Sequence, residues 1–401
     1  MSLNQTPAAE RIHIGVFGKR NAGKSSVINA ITGQNLAIVS DVKGTTTDPI
    51  LKSMELLPLG PIVLIDTPGL DDVGELGALR IQKAYQMLNK TDIAVLVVDG
   101  NVGMTNKDQQ ILSRIKQKNI PYIIVYNKSD LLSATPLNIQ QEQPVIAVSA
   151  KNGYQIEELK EKIAGLLPKE QSAKKIVGDL LSPLDFVILV IPIDSAAPKG
   201  RLILPQQQTI RDILDAGAIS IIVKDTELKD TLAKLPAKPK LVITDSQVFE
   251  KVANEVLEDI SLTSFSILFA RYKGNLDTVA SGAKTLDQLK DGDTVLICEG
   301  CTHHRQCDDI GSVKLPRWIS EHTKKDIHFA FTSGTEFPDD LSGYQLIIHC
   351  GGCMLNEREM KYRLRCAKDQ NVPMTNYGTA IAHMKGILNR SLKPFTGGQS
   401  L

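Results

Sequence analysis

Aromatic side chains are scarce in this chain, at 4% of 401 residues, and there is a single tryptophan. That scarcity argues against a base-stacking platform for single-stranded nucleic acid. An excess of either charge is lacking too. Against 46 basic residues stand 45 acidic ones, a formal charge of +1, so no global field draws the protein to nucleic acid. No apolar run approaches the roughly 18 uninterrupted residues of a membrane span. The opening segment "MSLNQTPAAERIHIGVFG" lacks the basic and apolar sections of a signal peptide. Together these absences predict a cytoplasmic protein with neither a membrane nor a nucleic-acid partner. Cysteine is sparse, at six residues, and five of the six fall between Cys298 and Cys353. In a reducing compartment, such crowding points to metal ligands before disulfides.

The length allows two or three domains, each with its own core. Short β-branched runs alternate with helical patterns throughout. "RIHIGVFG", "PIVLIDTPG", "IAVLVVDG", "PYIIVYNK" and "PVIAVSAK" read as buried parallel strands in a first domain, residues 1–168. The polar stretch "LPKEQSAKKIVGD" reads as a linker. A second α/β unit, 177–265, has strands "DFVILVIPI", "AISIIV" and "KLVITD", and no phosphate loop, which suits a structural or self-association role. A third, 266–401, has strands "DTVLICEGC", "DIHFAFTSG" and "YQLIIHCGGC". Both cysteine groups therefore fall just past strand ends, where open parallel sheets hold ligands.

"GKRNAGKSS", Gly18 to Ser26, fits G-x-x-x-x-G-K-S between a strand and a helix. The backbone of Gly18, Asn21, Ala22, Gly23 and Ser26 would wrap phosphate, with the helix N-terminus adding favourable dipole. Lys24 would meet the β- and γ-phosphates, and Ser25 would coordinate Mg²⁺. "DTPG" follows a strand end. Its Asp66 would hold Mg²⁺ through water, and the Gly69 N–H would face the γ-phosphate. "NKSD" matches the guanine-reading N-K-x-D pattern of Asn127, Lys128 and Asp130, and "SAK", Ser149, Ala150 and Lys151, closes over the base. Asp130 can accept from guanine N1–H and its amino group, which adenine cannot satisfy. Four segments in register predict a GTP site. Lys24, Thr46, Asp66 and Gly69 are its candidate catalytic groups.

The set most resembles the Era and MnmE branch of GTPases, including a switch "GTTTD", in which Thr46, or else Thr45, would bind Mg²⁺. Leu70 stands where a Ras-like enzyme carries the glutamine that orients water. In relatives, an asparagine at the position of Asn21 helps bind K⁺. The resemblance therefore implies slow, K⁺-stimulated hydrolysis.

Taken on spacing alone, Cys298-x-x-Cys301 and Cys350-x-x-Cys353 suit tetrahedral zinc or an iron–sulfur cluster. With the histidines, the pattern becomes Cys301-x-His303, 45 intervening residues, then His349-Cys350-x-x-Cys353. That constellation resembles the cluster motif of the [FeFe]-hydrogenase maturation GTPases, the HydF family, and the resemblance covers essentially the whole chain. It implies a P-loop GTPase domain, a dimerisation domain and a [4Fe–4S] domain. Cys301, Cys350 and Cys353 would be the cluster ligands, and His303 and His349 would ligate or line the site. The fourth position stays open to Cys298, water, an exogenous group, or Asp308 or Asp309. Asn356 would begin a helix whose dipole favours the cluster. Arg358, Arg363 and Arg365 would contact anionic cargo or form a solvated face. The implied role is a homodimeric carrier that receives a two-iron precursor from radical-SAM maturases and delivers it to apo-[FeFe]-hydrogenase. Two other readings remain: an Era- or MnmE-like RNA-related GTPase with structural zinc, and GTP-gated electron transfer.

Overall fold

The computed structural model describes residues 6–33, 49–69, 81, 83–131, 144–166, 174–193, 202–300, 309–334 and 336–396. The chain forms two compact units, Met1–Gln171 and Ser172–Leu401.

In the first unit, six strands lie in the order β2-β3-β1-β4-β5-β6. They are β1 (Ile12–Phe17), β2 (Ile50–Leu56), β3 (Gly60–Asp66), β4 (Ile93–Asp99), β5 (Tyr122–Asn127) and β6 (Val145–Ala147). All pair in parallel except β2, which runs antiparallel to β3. The central strand β4, "IAVLVVD", is buried at every position but its last. Apolar layers cover both faces of the sheet, one around Ile14, Val16, Val27 and Ile28 and the other around Phe17, Leu96, Ile111 and Ile115. The edge strand β2 alternates in burial instead, because only one of its faces is covered. β1 has β3 on one side and β4 on the other, so the loop after β1 opens at the switch point of the sheet, where ligands bind.

The second unit holds two four-stranded parallel sheets. The first consists of β7 (Phe186–Val190), β8 (Ile219–Val223), β9 (Leu241–Thr244) and β10 (Ser261–Ser264), ordered β10-β9-β7-β8. The second consists of β11 (Thr294–Glu299), β12 (His328–Ser333), β13 (Leu346–His349) and β14 (Met374–Asn376), ordered β12-β11-β13-β14. Both follow the same plan, with the earliest strand flanked by the second and third. In the last sheet this puts the switch point between β11 and β13, the two strands that lead into the cysteine loops.

One apolar cluster ties the first of these sheets to helices of the last region. Ile188, Val242 and Leu262 pack in the same cluster as Ala280, Ala382 and Leu388. The boundary expected at 265/266 falls at the start of the helix Phe265–Lys273, which buries Phe265, Ile267, Leu268 and Phe269. Asn376 Nδ2 donates to the Ser266 carbonyl at 2.8 Å, and the Gly378 N–H to Ser266 Oγ at 3.1 Å. Among the described residues, no helix is long and apolar enough to cross a membrane.

Candidate functional site

The loop after β1 needs backbone that few side chains allow. Gly18 has φ 145°, and an added Cβ would lie 2.2 Å from the Val97 carbonyl oxygen. Gly23 has φ 89° and caps the helix Lys24–Thr32, and a Cβ there would lie 2.2 Å from Asn127 Nδ2. Between them Asn21 is left-handed too, at φ 60°, and exposed. Asparagine tolerates that conformation better than most residues, which is a backbone reason for its presence.

Lys24 is buried, and its ammonium donates to the Gly18 and Lys19 carbonyls at 3.0 and 2.9 Å. It is thereby held across the mouth of the loop. The two described residues expected at Mg²⁺ meet directly, with Ser25 Oγ donating to Asp66 Oδ2 at 3.3 Å. Burial raises the Asp66 carboxyl above its ordinary range, against the opposing charge of Lys24. Thr67 Oγ1 donates to the Val16 carbonyl at 2.6 Å, tying this segment to β1. Gly69 lies against the phosphate loop so closely that a Cβ would sit 3.0 Å from the Arg20 backbone nitrogen. Thr45, Thr46 and Leu70 lie outside the described residues.

A cleft of about 600 Å³ is lined by Gly23, Asn127, Lys128, Asp130, Ala150 and Lys151 among others. Asp130 is positioned by Ser149, whose hydroxyl donates to Oδ1 at 2.7 Å. Asn127 is a brace. Its amide nitrogen donates to the Ala22 carbonyl at 3.1 Å, and its oxygen accepts from the Ala150 N–H at 3.1 Å, joining the phosphate loop to the "SAK" loop. Lys128, at φ 67°, is anchored by Asp99 at 2.6 Å. Burial lifts the Asp99 carboxyl, but the hydrogen bond from Lys128 and the backbone of Asn101 outweigh it and hold the group below its ordinary range. Asp99 escaped the sequence reading. Its signal was the acidic residue ending β4 before a glycine.

At the far end of the chain, Cys301, His303, His304, Cys307 and Asp308 lie outside the described residues. Gly300, the residue before them, is described. The Gly300 N–H donates to Cys350 Sγ at 3.0 Å, and a Cβ on Gly300 would meet Leu355 at 2.9 Å and Gly352 Cα at 3.5 Å. The Gly352 N–H, at 3.4 Å, also points to Cys350 Sγ, and Gly352 needs its φ of 65° to make the turn. Two backbone donors on one sulfur favour a thiolate, the form that binds metal.

Cys353 packs toward the core around Phe265 and Phe269. Burial raises its thiol, while the nearby Lys273 charge lowers it. Lys273 is itself buried and donates to the Cys353 and Leu355 carbonyls at 3.2 and 2.9 Å. Asn356 does begin a helix, Glu357–Asp369, and its Oδ1 accepts from the Glu359 N–H at 3.0 Å.

Three expectations change. Cys298 aligns with His349 across β11 and β13, and packs with Leu296 and Ile347 on one face of the sheet. Cys350 packs with Ile297 and Ile348 on the other. Side chains alternate along a strand, so the sheet sets Cys298 and Cys350 on opposite faces. Burial pushes the Cys298 thiol up to about 11.

His349 is fully buried. Its Nδ1 lies 2.8 Å from the Cys350 carbonyl, so it is the donor there, and its Nε2 lies 3.0 Å from Arg363 Nη1, from which it accepts. Both nitrogens therefore have protein partners, and in this arrangement the ring lines the loop without ligating. Burial, then the Arg363 charge, pushes its pKa down to about 3, so it is neutral.

Arg363 is neither solvated nor open to cargo. It is 0% exposed, pairs with Glu359 at 3.0 Å, donates to the Gly334 carbonyl at 2.9 Å, and lies over the Phe337 ring. Arg365 remains exposed, as a solvated face requires.

Sequence reasoning also missed Glu299 and Tyr377. Both are buried, with the Tyr377 hydroxyl donating to Glu299 Oε1 at 3.4 Å. Burial, then the charges of Cys350, Glu299 and Asp309, raises the Tyr377 hydroxyl well above its ordinary range. Asp309 itself caps the following turn, accepting from the Ser312 N–H and hydroxyl at 2.9 Å.

Comparison with known families decides the assignment. Family models described as "Hydrogen maturase F dimerization domain" and "Hydrogen maturase F tetramerization domain" match residues 176–274 and 277–394, together more than half of the chain. A third, "50S ribosome-binding GTPase", matches residues 13–128. The chain belongs to the hydrogen maturase F family.

Curated relatives of this chain include GTPase Der of Wolinella succinogenes, 34% identical over 188 residues, which are 44% of this chain and 39% of that protein. Another is the tRNA modification GTPase MnmE of Nitrosomonas europaea, 36% identical over 173 residues, or 42% of this chain and 37% of that one. The chain spans about two fifths of the length of these relatives, and the likeness reflects the GTPase domain. Among solved structures, an Aquifex aeolicus Era variant bound to GDP and AlF₄⁻ aligns with 53% of this chain and 92% of its own, at 21% identity and a TM-score of 0.36. The family matches and the sheet topology give a P-loop GTPase domain followed by two further α/β regions. The tetramerization match takes in Cys350 and Cys353 as well as the last sheet.

Proposed function

We propose that this hydrogen maturase F is a GTP-hydrolysing scaffold that holds a two-iron precursor beside a [4Fe–4S] cluster and delivers it to apo-[FeFe]-hydrogenase. The observation that supports the reading is the contact between the Gly300 N–H and Cys350 Sγ, which brings the residue before Cys301 to the Cys350–Cys353 turn. Cys301, Cys350 and Cys353 would hold the cluster. A cluster with three thiolate ligands supplies one iron open to exogenous groups, as a carrier requires and a simple electron relay does not. The described residues around Cys350 and Cys353 fit such a group. Backbone N–H groups of Gly300 and Gly352 stabilise the Cys350 thiolate, Lys273 offsets negative charge, and the helix opened by Asn356 turns its positive end to the loop. Glu299, on the Cys350 face of β11, joins Asp309 as a carboxylate beside the site. Arg363 and His349 hold the loop in place from below.

Self-association is supported by β8, an edge strand that leaves Ile219 and Ile222 37% and 48% exposed within the dimerization match. The sequence suggested a dimer, and the tetramerization match extends that to a higher assembly. Radical-SAM maturases are the proposed source of the precursor, and the cytoplasm the proposed compartment.

Anaerobic reconstitution with iron and sulfide tests the cluster. The unmodified chain should turn brown, give an EPR signal on reduction and activate apo-hydrogenase. Cys350→Ser should lose the signal and the activation together, while GTP turnover persists. Full activation by that variant would end the proposal.

The GTPase step should be slow, because Leu70 offers no amide to orient water, and should depend on a monovalent cation near Asn21. At constant ionic strength, turnover in K⁺ should exceed that in Na⁺ by about tenfold, a barrier difference of ~1.4 kcal/mol. Asn21→Ala should erase the difference. Equal rates in the two salts for the unmodified chain would remove K⁺ from the mechanism.

A further inference from the structure

Away from the nucleotide and cysteine sites, three side chains from separate elements converge. Asp287 stands in the short turn Lys284–Gln288, His322 in the last turn of the helix Leu315–Thr323, and His383 in the last turn of the helix Tyr377–Met384. His322 Nε2 lies 2.8 Å from Asp287 Oδ1, and His383 Nε2 lies 2.9 Å from Asp287 Oδ2. One donor atom from each residue falls within 4.8 Å of the other two. The rings do not stack. Their centroids are 6.0 Å apart at 66°, so two nitrogen corners meet at one carboxylate.

We propose that Asp287, His322 and His383 form a site for one divalent first-row transition-metal ion of the Zn²⁺ class, separate from the cysteine ligands. Two imidazoles and a carboxylate are a borderline donor set that suits such ions and disfavours Mg²⁺ and Ca²⁺, which prefer oxygen. Bonds of about 2.0–2.1 Å around a tetrahedral ion put donors roughly 3.3 Å apart. The two nitrogen–oxygen pairs, at 2.8 and 2.9 Å on different carboxylate oxygens, are hydrogen-bonded about half an ångström inside that spacing, so small side-chain rotations suffice to admit the ion.

The backbones behind the donors are fixed. Leu286, Leu315, Ile319, Ala380 and Ile381, each within two helical turns of a donor, all belong to a single buried cluster. A second feature independently favours a cation. Both histidines sit at helix C-termini, so the negative ends of two helix dipoles point to the same place. Asp287 is 56% exposed and the histidines 27% and 17%, which leaves an entry path and room for water to complete the coordination.

Co²⁺ is the probe, titrated into the full chain under anaerobic conditions. Thiolate ligation gives intense near-ultraviolet charge transfer, whereas a nitrogen–oxygen site gives only visible d–d bands, so the two kinds of site are read separately. The unmodified chain should show one nitrogen–oxygen ion per protomer. His322→Gln and His383→Gln should each weaken it by at least about 100-fold, since even outer-shell partners of a metal cost ten- to hundredfold. Their thiolate bands should be unchanged. Zinc-edge X-ray absorption on the unmodified, cluster-loaded chain provides a reading that needs no variant, and it should report two imidazoles. Absence of the d–d bands, variants that bind as the unmodified chain does, or a purely sulfur shell at the zinc edge would each overturn the assignment.

Discussion

Asp130→Asn is expected to lower GTP affinity by about 10²–10⁴-fold. Asp130 lines the cleft with Gly23, Asn127, Lys128 and Ala150, where a bound guanine would present N1–H and its amino group. Two charge-assisted hydrogen bonds are at stake, each worth ~1.5–3 kcal/mol. An asparagine in the same rotamer keeps one acceptor and turns a donor amide toward a donor on the base. Ser149, whose hydroxyl holds Asp130 Oδ1 at 2.7 Å, makes it hard for the new side chain to swing aside. Xanthosine triphosphate carries a carbonyl where guanine carries the amino group, so the variant should bind it better than GTP. Calorimetric titration with both nucleotides reads the result. A GTP affinity within a few-fold of the unmodified protein would mean that Asp130 does not read the base.

Arg363→Ala should destabilise the second unit by about 3–5 kcal/mol. Removing the guanidinium strands the Glu359 carboxylate, whose side chain is 3% exposed, and takes a donor from both His349 Nε2 and the Gly334 carbonyl. The desolvation penalty of the remaining charge, more than the lost attraction, sets the magnitude. Replacing both ends at once, with Glu359→Gln and Arg363→Met, should therefore recover a large part of the loss. The measurement is convenient because the chain's single tryptophan, Trp318, packs against the core of the last sheet and reports unfolding of that unit within the intact protein. GTP binding should be unaffected at concentrations of denaturant below the transition. A loss under about 1 kcal/mol would show that water reaches the pair and that the buried network does not position the cysteine loop.

Much of this molecule is legible in its sequence, for identifiable reasons. The strands β1, β3, β4 and β5 are near-continuous apolar runs because both their faces are covered, and such runs stand out without knowledge of their neighbours. The strands that went unseen are β2, β10 and β14. β2 reads "ILKSMEL", with exposed polar and apolar positions mixed at a sheet edge, while β10 and β14 are short and rich in serine, threonine and asparagine. Their burial depends on what packs over them. The nucleotide motifs were legible because phosphate and guanine recognition require particular residue types at fixed short spacings.

The braces behind those motifs were not legible. Asp99 reaches Lys128 across 29 positions, and Arg363 reaches Gly334 across the same number. No local pattern announces a partner so far away. Arg363 is instructive, since its helix carries charges on most sides and its mean hydropathy suggests a solvated surface. Packing against Phe337, His349 and Glu359 made the one arginine on the inner face structural.

What the sequence determined by itself is the chemistry available: a phosphate loop, a base-reading aspartate, and soft sulfur donors on two strand-end loops. Those follow from residue type and short-range spacing, which the covalent chain fixes. Only the tertiary structure decided which of these groups meet. Strand pairing aligned Cys298 with His349 on one face and left Cys350 on the other. Helix packing buried Arg363 and drew Asp287, His322 and His383 together from three elements. Such choices depend on burial and long-range register, quantities that exist only once the sheets have closed.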